Sequence, residues 1–292
     1  MRTFIVFIGS VIVLVFALVL LVSDRDRSMW VLNTAVKMAN PHPVIHDIQY
    51  GAEPWQKLDI YPAQASNDAP VIIFVYGGSW RHGRKDQYRF AADAFIRKGY
   101  TVVIPDYIKY PDSNARFPSF ARDVASAVAW VKDNITNHNG DSNNLFLAGH
   151  SAGAHTVAIL TADQQYLTSV GLTESDIRGV AGIAGPYSFT PDWEVTKAVF
   201  GPESRYPLMD VFNYIDGSEP STILLHSESD TQVGRYNTDG LHERMIAKGV
   251  DVKKVIYKQP SHIDMVTMLH PWFTKADDVA QDIDTFFRER IR

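Results

Sequence analysis

Asn144-Leu145-Phe146-Leu147-Ala148-Gly149-His150-Ser151-Ala152-Gly153 is the stretch of this chain that decides its fold. An apolar strand, 144–148, runs into Gly149-His150-Ser151-Ala152-Gly153 and then into the helix-forming Ala154-His155-Thr156-Val157-Ala158-Ile159-Leu160. A serine on so tight a turn has strained backbone angles, and the residues two before and two after it crowd the adjoining strand and helix. Glycine, lacking a Cβ, fits there, hence Gly149 and Gly153. The turn reads as a nucleophile elbow. It lifts the Ser151 hydroxyl out of the sheet and sets it at a helix N-terminus, where the Ala152 amide is free to bind a developing oxyanion.

On either side of the elbow, strands and helices alternate. Residues 44–50 and 56–61 read as an antiparallel hairpin, and 71–75 as a strand buried on both faces. A helix at about 87–98, a strand at 101–105 and a helix at about 117–136 lead to the elbow strand. After the elbow come helix 152–162, strands 179–183 and 221–226, helix 237–248, strand 252–257 and an amphipathic helix at about 276–290. This alternation specifies a mainly parallel sheet covered on both faces. The aromatic-rich stretch 186–216 breaks the rhythm and reads either as a cap over the site or as ordinary packing of irregular helices.

With 292 residues, 46% of them hydrophobic, the chain can bury one large α/β core. A net charge of −5 with no basic run excludes phosphate tracking, so nucleic acid is not an expected partner. There is no cysteine, which excludes disulfides, thiolate catalysis and cysteine-bound zinc. Residues 4–22 are 19 consecutive uncharged, mainly apolar residues. At 1.5 Å per residue they make a helix about 28 Å long, close to the ~30 Å hydrocarbon core. A cleavable signal peptide has a shorter apolar region and a small-x-small site, and Leu20-Leu21-Val22-Ser23 offers none. A retained single-pass anchor is therefore expected, with Trp30 at the interface and the catalytic domain on the non-cytoplasmic side. The division is then 1–27 anchor and flank, 28–43 linker with one interfacial helix over 29–38, and 44–292 catalytic domain.

A serine hydroxyl needs a base to take its proton, and the base needs a third group to orient it. With the order Ser, then Asp or Glu, then His, the acid follows strand 221–226, where Ser227-Glu228-Ser229-Asp230-Thr231-Gln232-Val233 offers Asp230 at the turn. Glu228 and Asp216 are the alternatives. The base follows strand 252–257, where Lys258-Gln259-Pro260-Ser261-His262-Ile263-Asp264 supplies His262. His150 lies inside the elbow, His226 ends a strand, and Asp264 stands too near His262 to orient it. No His-Glu-x-x-His spacing occurs, and His150 and His155 are off the i, i+4 register, so no metal site is expected.

The loop after strand 71–75 reads Tyr76-Gly77-Gly78-Ser79-Trp80, and its two glycines let backbone N–H groups turn toward a reacting carbonyl. At this point the chain resembles the α/β-hydrolase superfamily over about 44–290, in the esterase branch with a His-Gly-Gly-x-Trp loop. Carboxylesterases, feruloyl-type esterases, kynurenine formamidases and isoprenylcysteine methylesterases are similar in this respect. The likeness takes in Leu58-Asp59-Ile60-Tyr61, Asp106-Tyr107, Phe117-Pro118 with Asp123, and Gly185-Pro186-Tyr187. It implies a mainly parallel eight-stranded sheet with helices on both faces, oxyanion donors at Gly78 and Ser79 beside Ala152, and a substrate pocket at Trp80 and Tyr187. It also implies a cofactor-free carboxylic ester hydrolase acting on a small molecule through Ser151, His262 and Asp230. Two other readings stand beside this one: an arylformamidase-type amidase, and a ligand-binding protein on a hydrolase scaffold. The chain departs from the pattern at Tyr76, which stands where the resemblance implies a loop-bracing histidine.

Overall fold

In the computed structural model, residues 25–112, 115–273 and 278–292 are described, with side chains from Leu32 onward. Helix α1 (Arg25–Ala39) leads into β1 (Ile45–Gln49), β2 (Lys57–Tyr61) and β3 (Ala69–Val75). Then come α2 (Arg89–Ile96), β4 (Thr101–Pro105), α3 (Ser119–Asn134), β5 (Gly140–His150), α4 (Ala152–Ala162), the single turn α5 (Gln165–Thr168) and β6 (Ile177–Ile183). The remaining elements are α6 (Glu194–Phe200), β7 (Thr222–Ser227), α7 (Tyr236–Ala247), β8 (Val252–Tyr257), the single turn α8 (Asp264–Thr267) and α9 (Val279–Arg288).

All eight strands join one sheet in the order β1-β2-β4-β3-β5-β6-β7-β8. The β1–β2 and β2–β4 pairs are antiparallel, and every other pair is parallel, as the alternation of elements requires. The central strands are continuous apolar runs because helices cover both sides: α3, α4 and α7 on one, α2 and α9 on the other. The ring of Phe287 in α9 stacks on Phe146 of β5 at 4.4 Å, and residues 71–75 and 145–148 have no solvent exposure.

Several boundaries differ from the sequence reading. The elbow strand begins at Gly140 rather than 144: Gly140 pairs with Ala69, and the polar Asp141-Ser142-Asn143 run, which carries no apolar signal, is an irregularity before Leu145 pairs with Val71. The helix expected at about 87–98 is a 3-10 turn, Lys85–Tyr88, followed by the shorter α2. Segment 28–43 is not loose: Asn33 accepts the Phe90 amide at 3.1 Å and donates to the Gln87 carbonyl. Arg89 adds hydrogen bonds to the carbonyls of Asn40 and His42, so α1 and its exit are seated on α2. The expected transmembrane run 4–22 lies outside the described residues. Among the described residues no helix is long and apolar enough to cross a membrane.

Candidate active site

The sheet delivers Ser151 at the C-terminal end of a central strand, between the last residue of β5 and the first of α4. Its backbone angles, φ 54° and ψ −121°, fall where an L-residue is strained, at a cost of about 1–3 kcal/mol. Neighbouring structure holds it there. The Ser151 amide donates to the Ile183 carbonyl at 2.9 Å, and its carbonyl accepts the His155 amide at 3.1 Å. A Cβ on Gly153 would stand 2.0 Å from the Val75 carbonyl oxygen, and one on Gly149 would stand 2.5 Å from the Gly153 carbonyl oxygen. Both glycines are therefore imposed by the closeness of strand and helix.

Three strand ends converge on this point. His262, after β8, places Nε2 2.9 Å from Ser151 Oγ and Nδ1 2.7 Å from Asp230 Oδ2, after β7. The other Asp230 oxygen accepts the amides of Gln232 and Val233 at 2.8 and 2.9 Å, so the carboxylate cannot swing away. Burial by itself raises the Asp230 pKa, but the hydrogen bonds from His262, Val233 and Gln232 overcome it and hold the carboxyl below its ordinary 3.8. An ionised acceptor requires a proton on Nδ1, which leaves Nε2 to accept from the serine hydroxyl.

The loops bearing Asp230 and His262 are joined to each other. Ser227 Oγ donates to the Pro260 carbonyl at 2.5 Å, and Ser229 Oγ to the Lys258 carbonyl at 2.7 Å. His150 Nε2 donates to the His262 carbonyl at 3.0 Å, which ties the elbow to the base loop. The alternative acids lie elsewhere: Glu228 is half exposed and paired with Arg235, and Asp216 accepts the Ser218 amide. Asp264 accepts the Ser261 amide and hydroxyl instead. No group of residues suited to holding a metal ion occurs among the described residues.

The glycine loop lies directly against the serine, since a Cβ on Gly77 would approach Ser151 Cβ to 2.9 Å. Gly78, Ser79 and Trp80 all have positive φ, and the Gly78 carbonyl closes the turn by accepting the Arg81 and His82 amides. Consecutive residues so twisted point their N–H groups into one concavity. The Gly78 and Ser79 amides donate to no backbone carbonyl among the described residues.

Tyr76 anchors this loop from beneath. Its ring lies between those of Tyr88 and Tyr107, at 5.1 and 4.9 Å, and Gly83 packs flat on it because a Cβ there would reach 2.7 Å from the ring. The Tyr76 hydroxyl lies between Asp106 and Lys109. The ring's full burial, then the Asp106 charge, push its pKa well above 10, while burial lowers that of Lys109. Nothing in the sequence reading marked Lys109, since a lone lysine after Asp106-Tyr107 carries no pattern.

The two expected pocket residues fare differently. Trp80 ends the glycine loop, with its ring buried among aromatic neighbours. Tyr187 sits in the core. It is fully buried against Gly182 and Gly185 and borders a cavity of about 10 Å³ between α4, α7 and the sheet. The glycines beside it made room for a core ring, a use that the Gly-Pro-Tyr spacing does not distinguish from a pocket. Phe189, Phe200 and His155, which the sequence reading did not place at the site, surround Trp80 instead. Their only signal was the aromatic richness of 186–216.

Known proteins share this fold. A truncated carbohydrate esterase from gut microbiota superposes with a TM-score of 0.73 at 17% identity, over 85% of this chain and 96% of that one, and so shares the α/β-hydrolase fold. Probable isoprenylcysteine alpha-carbonyl methylesterase ICMEL1 of Arabidopsis thaliana is 24% identical over 83% of this chain and 55% of its own length. Esterase LipC of Mycobacterium tuberculosis is 35% identical over 50% of this chain and 37% of its own length. The chain thus spans about half the length of these curated relatives, or less. The BD-FAE family model matches residues 58–245, from β2 through the elbow and the Asp230 loop to the end of α7. Elbow, glycine loop and acid loop all fall inside that match, and the chain belongs to the BD-FAE family of α/β-hydrolases.

Proposed function

We propose that the protein is a serine hydrolase that cleaves carboxylic esters through Ser151, His262 and Asp230. The observation that carries this is one imidazole bridging Ser151 Oγ at 2.9 Å and Asp230 Oδ2 at 2.7 Å. His262 Nε2 takes the serine proton as Oγ attacks the carbonyl carbon, and Asp230 stabilises the imidazolium that forms. The amides of Gly78, Ser79 and Ala152 receive the oxyanion, each donor worth on the order of 3 kcal/mol. Collapse of the tetrahedral intermediate expels the alcohol, which takes its proton from His262. Water then repeats the cycle on the acyl-enzyme. The names of the methylesterase and esterase relatives support an ester substrate. A kynurenine formamidase of Danio rerio, 33% identical over 50% of this chain, supports an arylformamide as the second reading.

The test is labelling of the full chain by a fluorophosphonate. Wild type reacts and Ser151→Ala does not; labelling that persists in the variant overturns the assignment. Comparing N-formyl-kynurenine with short 4-nitrophenyl esters decides between amide and ester. Run 4–22 is proposed as an anchor that leaves the domain on the non-cytoplasmic side. Protease added to intact cells then digests the domain, and protection until lysis reverses that orientation.

A further inference from the structure

We infer that Tyr88, seated by Asn33 of the N-terminal helix α1, is a positioning residue that aims the Gly78 amide at the oxyanion. This rests on the esterase reading above and deepens it. It draws into the site a helix that lies before the family match, which begins at residue 58.

A peptide group is planar, and in its trans form the C=O and N–H point in opposite directions. Whatever holds a carbonyl therefore holds the amide of the next residue. The Gly77 carbonyl accepts the Tyr88 hydroxyl at 3.3 Å, and the N–H of that same trans peptide belongs to Gly78. One step earlier, the Tyr76 carbonyl accepts the Tyr107 hydroxyl at 2.8 Å. Two successive peptides are thus each held by a tyrosine hydroxyl, and the rings that carry those hydroxyls stack on the two faces of Tyr76. Glycine at 77 and 78 leaves the backbone free to turn, so its direction must be set from outside. On its other side Gly77 lies against the nucleophile. A Cβ there would stand 2.9 Å from Ser151 Cβ and 2.7 Å from the His150 carbonyl oxygen, so a turn of the Gly77–Gly78 peptide moves the donor relative to the serine it serves.

What seats Tyr88 comes from α1. Tyr88 ends the 3-10 turn and stands at the N-cap of α2, where a short polar side chain ordinarily accepts an amide of the first turn. Tyr88 makes no such bond, and its side chain goes to Gly77 instead. Asn33 supplies the acceptor from outside: its Oδ1 takes the Phe90 amide at 3.1 Å while its Nδ2 donates to the Gln87 carbonyl. One side-chain amide thus clasps the backbone on both sides of Tyr88. Asn33 is 8% exposed and Tyr88 2%, so both contacts lie within the packed interior.

The measurement is hydrolysis of 4-nitrophenyl acetate by the full chain, together with its inhibition by an aryl trifluoromethyl ketone. Ser151 Oγ adds to the ketone carbon, its proton passes to His262, and the ketone oxygen becomes the oxyanion. Deleting a donor outright costs about 10²–10³ in kcat. Tyr88→Phe keeps the stacked ring and removes only the hydroxyl, so the Gly78 amide is misaimed rather than lost. The expected result is a kcat about tenfold lower, an inhibition constant raised by about the same factor, and a KM within about twofold of wild type. Asn33→Ala lowers kcat in the same pattern, and because it acts through Tyr88 the double variant stays within about twofold of Tyr88→Phe alone. If Asn33→Ala does not fold, by circular dichroism, Asn33→Asp is read instead, since it keeps the acceptor for Phe90 and loses the donor to Gln87. Wild-type kcat and inhibitor affinity in Tyr88→Phe overturn the inference, as does a double variant in which the two losses multiply. Failure of the esterase reading looks different: folded wild type then turns over no ester and takes no fluorophosphonate label.

Discussion

The Tyr76 hydroxyl donates to Asp106 Oδ1 at 2.5 Å and accepts from Lys109 Nζ at 2.8 Å, which fixes the first residue of the glycine loop from outside that loop. Asp106 Oδ1 also accepts the Lys85 amide at 3.0 Å, so the same carboxylate secures the loop's far end. Tyr76→Phe deletes the shared hydroxyl and leaves its partly buried partners short of a hydrogen bond. Stability in urea falls by about 1–3 kcal/mol. The glycine amides lose their register on the oxyanion, so kcat falls while KM changes little. An unchanged kcat would show that the positive-φ turn holds the amides unaided.

Asp230→Asn keeps the oxygen that accepts the amides of Gln232 and Val233 but loses the charge that selects the His262 tautomer. A fall in kcat of about 10⁴ is expected, the size seen when a triad aspartate is so replaced. The thermal midpoint stays near wild type. Glu228→Gln, at a surface position, leaves kcat unchanged; a large loss there instead would move the acid to Glu228.

His155 gives the fold a pH dependence. Burial, only partly offset by its hydrogen bond to the Met209 carbonyl, lowers its pKa from 6.5 to about 4, so the folded ring stays neutral. Between those values the unfolded chain binds a proton that the folded chain refuses, and stability therefore rises with pH through that window. The contribution is complete above about 6.5 and lost as pH falls toward 4, in all about 3 kcal/mol. Urea unfolding at neutral pH and near pH 4.5 should show wild type losing about 2–3 kcal/mol more than His155→Gln. Equal losses would place the acid sensitivity elsewhere.

Gly153→Ala forces a methyl to within 2.0 Å of the Val75 carbonyl, a rigid strand atom. Strand and helix must part, at about 3 kcal/mol or more, and Ser151 moves with them. Loss of both fluorophosphonate labelling and thermal stability is the expected result. A variant with native stability would mean that the elbow relaxes more easily than its packing implies.

The sheet was legible because its signals are local and redundant. Each central strand is a continuous apolar run, and the Ser151 and Asp230 loops follow such runs. His262 follows the rim strand β8, whose Lys253-Lys254 interrupt the apolar pattern, so the three candidates come from chain order. The structure brings those three side chains together. Where one residue type has two uses, the sequence could not separate them. Tyr187 beside Gly182 and Gly185 is a core ring, yet the same letters would serve a pocket. Lys109 and His155 act through partners 33 and 54 residues distant, contacts that no local pattern encodes. The polar start of β5 escaped notice for a related reason: its pairing with Ala69 is a tertiary choice.

The proposed base hangs from β8, which pairs with β7 alone at the rim of the sheet, 111 residues after the nucleophile it serves. On the proposed reading, a nascent chain carries its nucleophile well before its base. On that reading, chemistry waits for the rim strand to dock. The converse holds in the mature protein: rim strands fray before central ones, so heat or denaturant should silence turnover reversibly while most of the sheet still stands. Such a protein disarms itself before it comes apart.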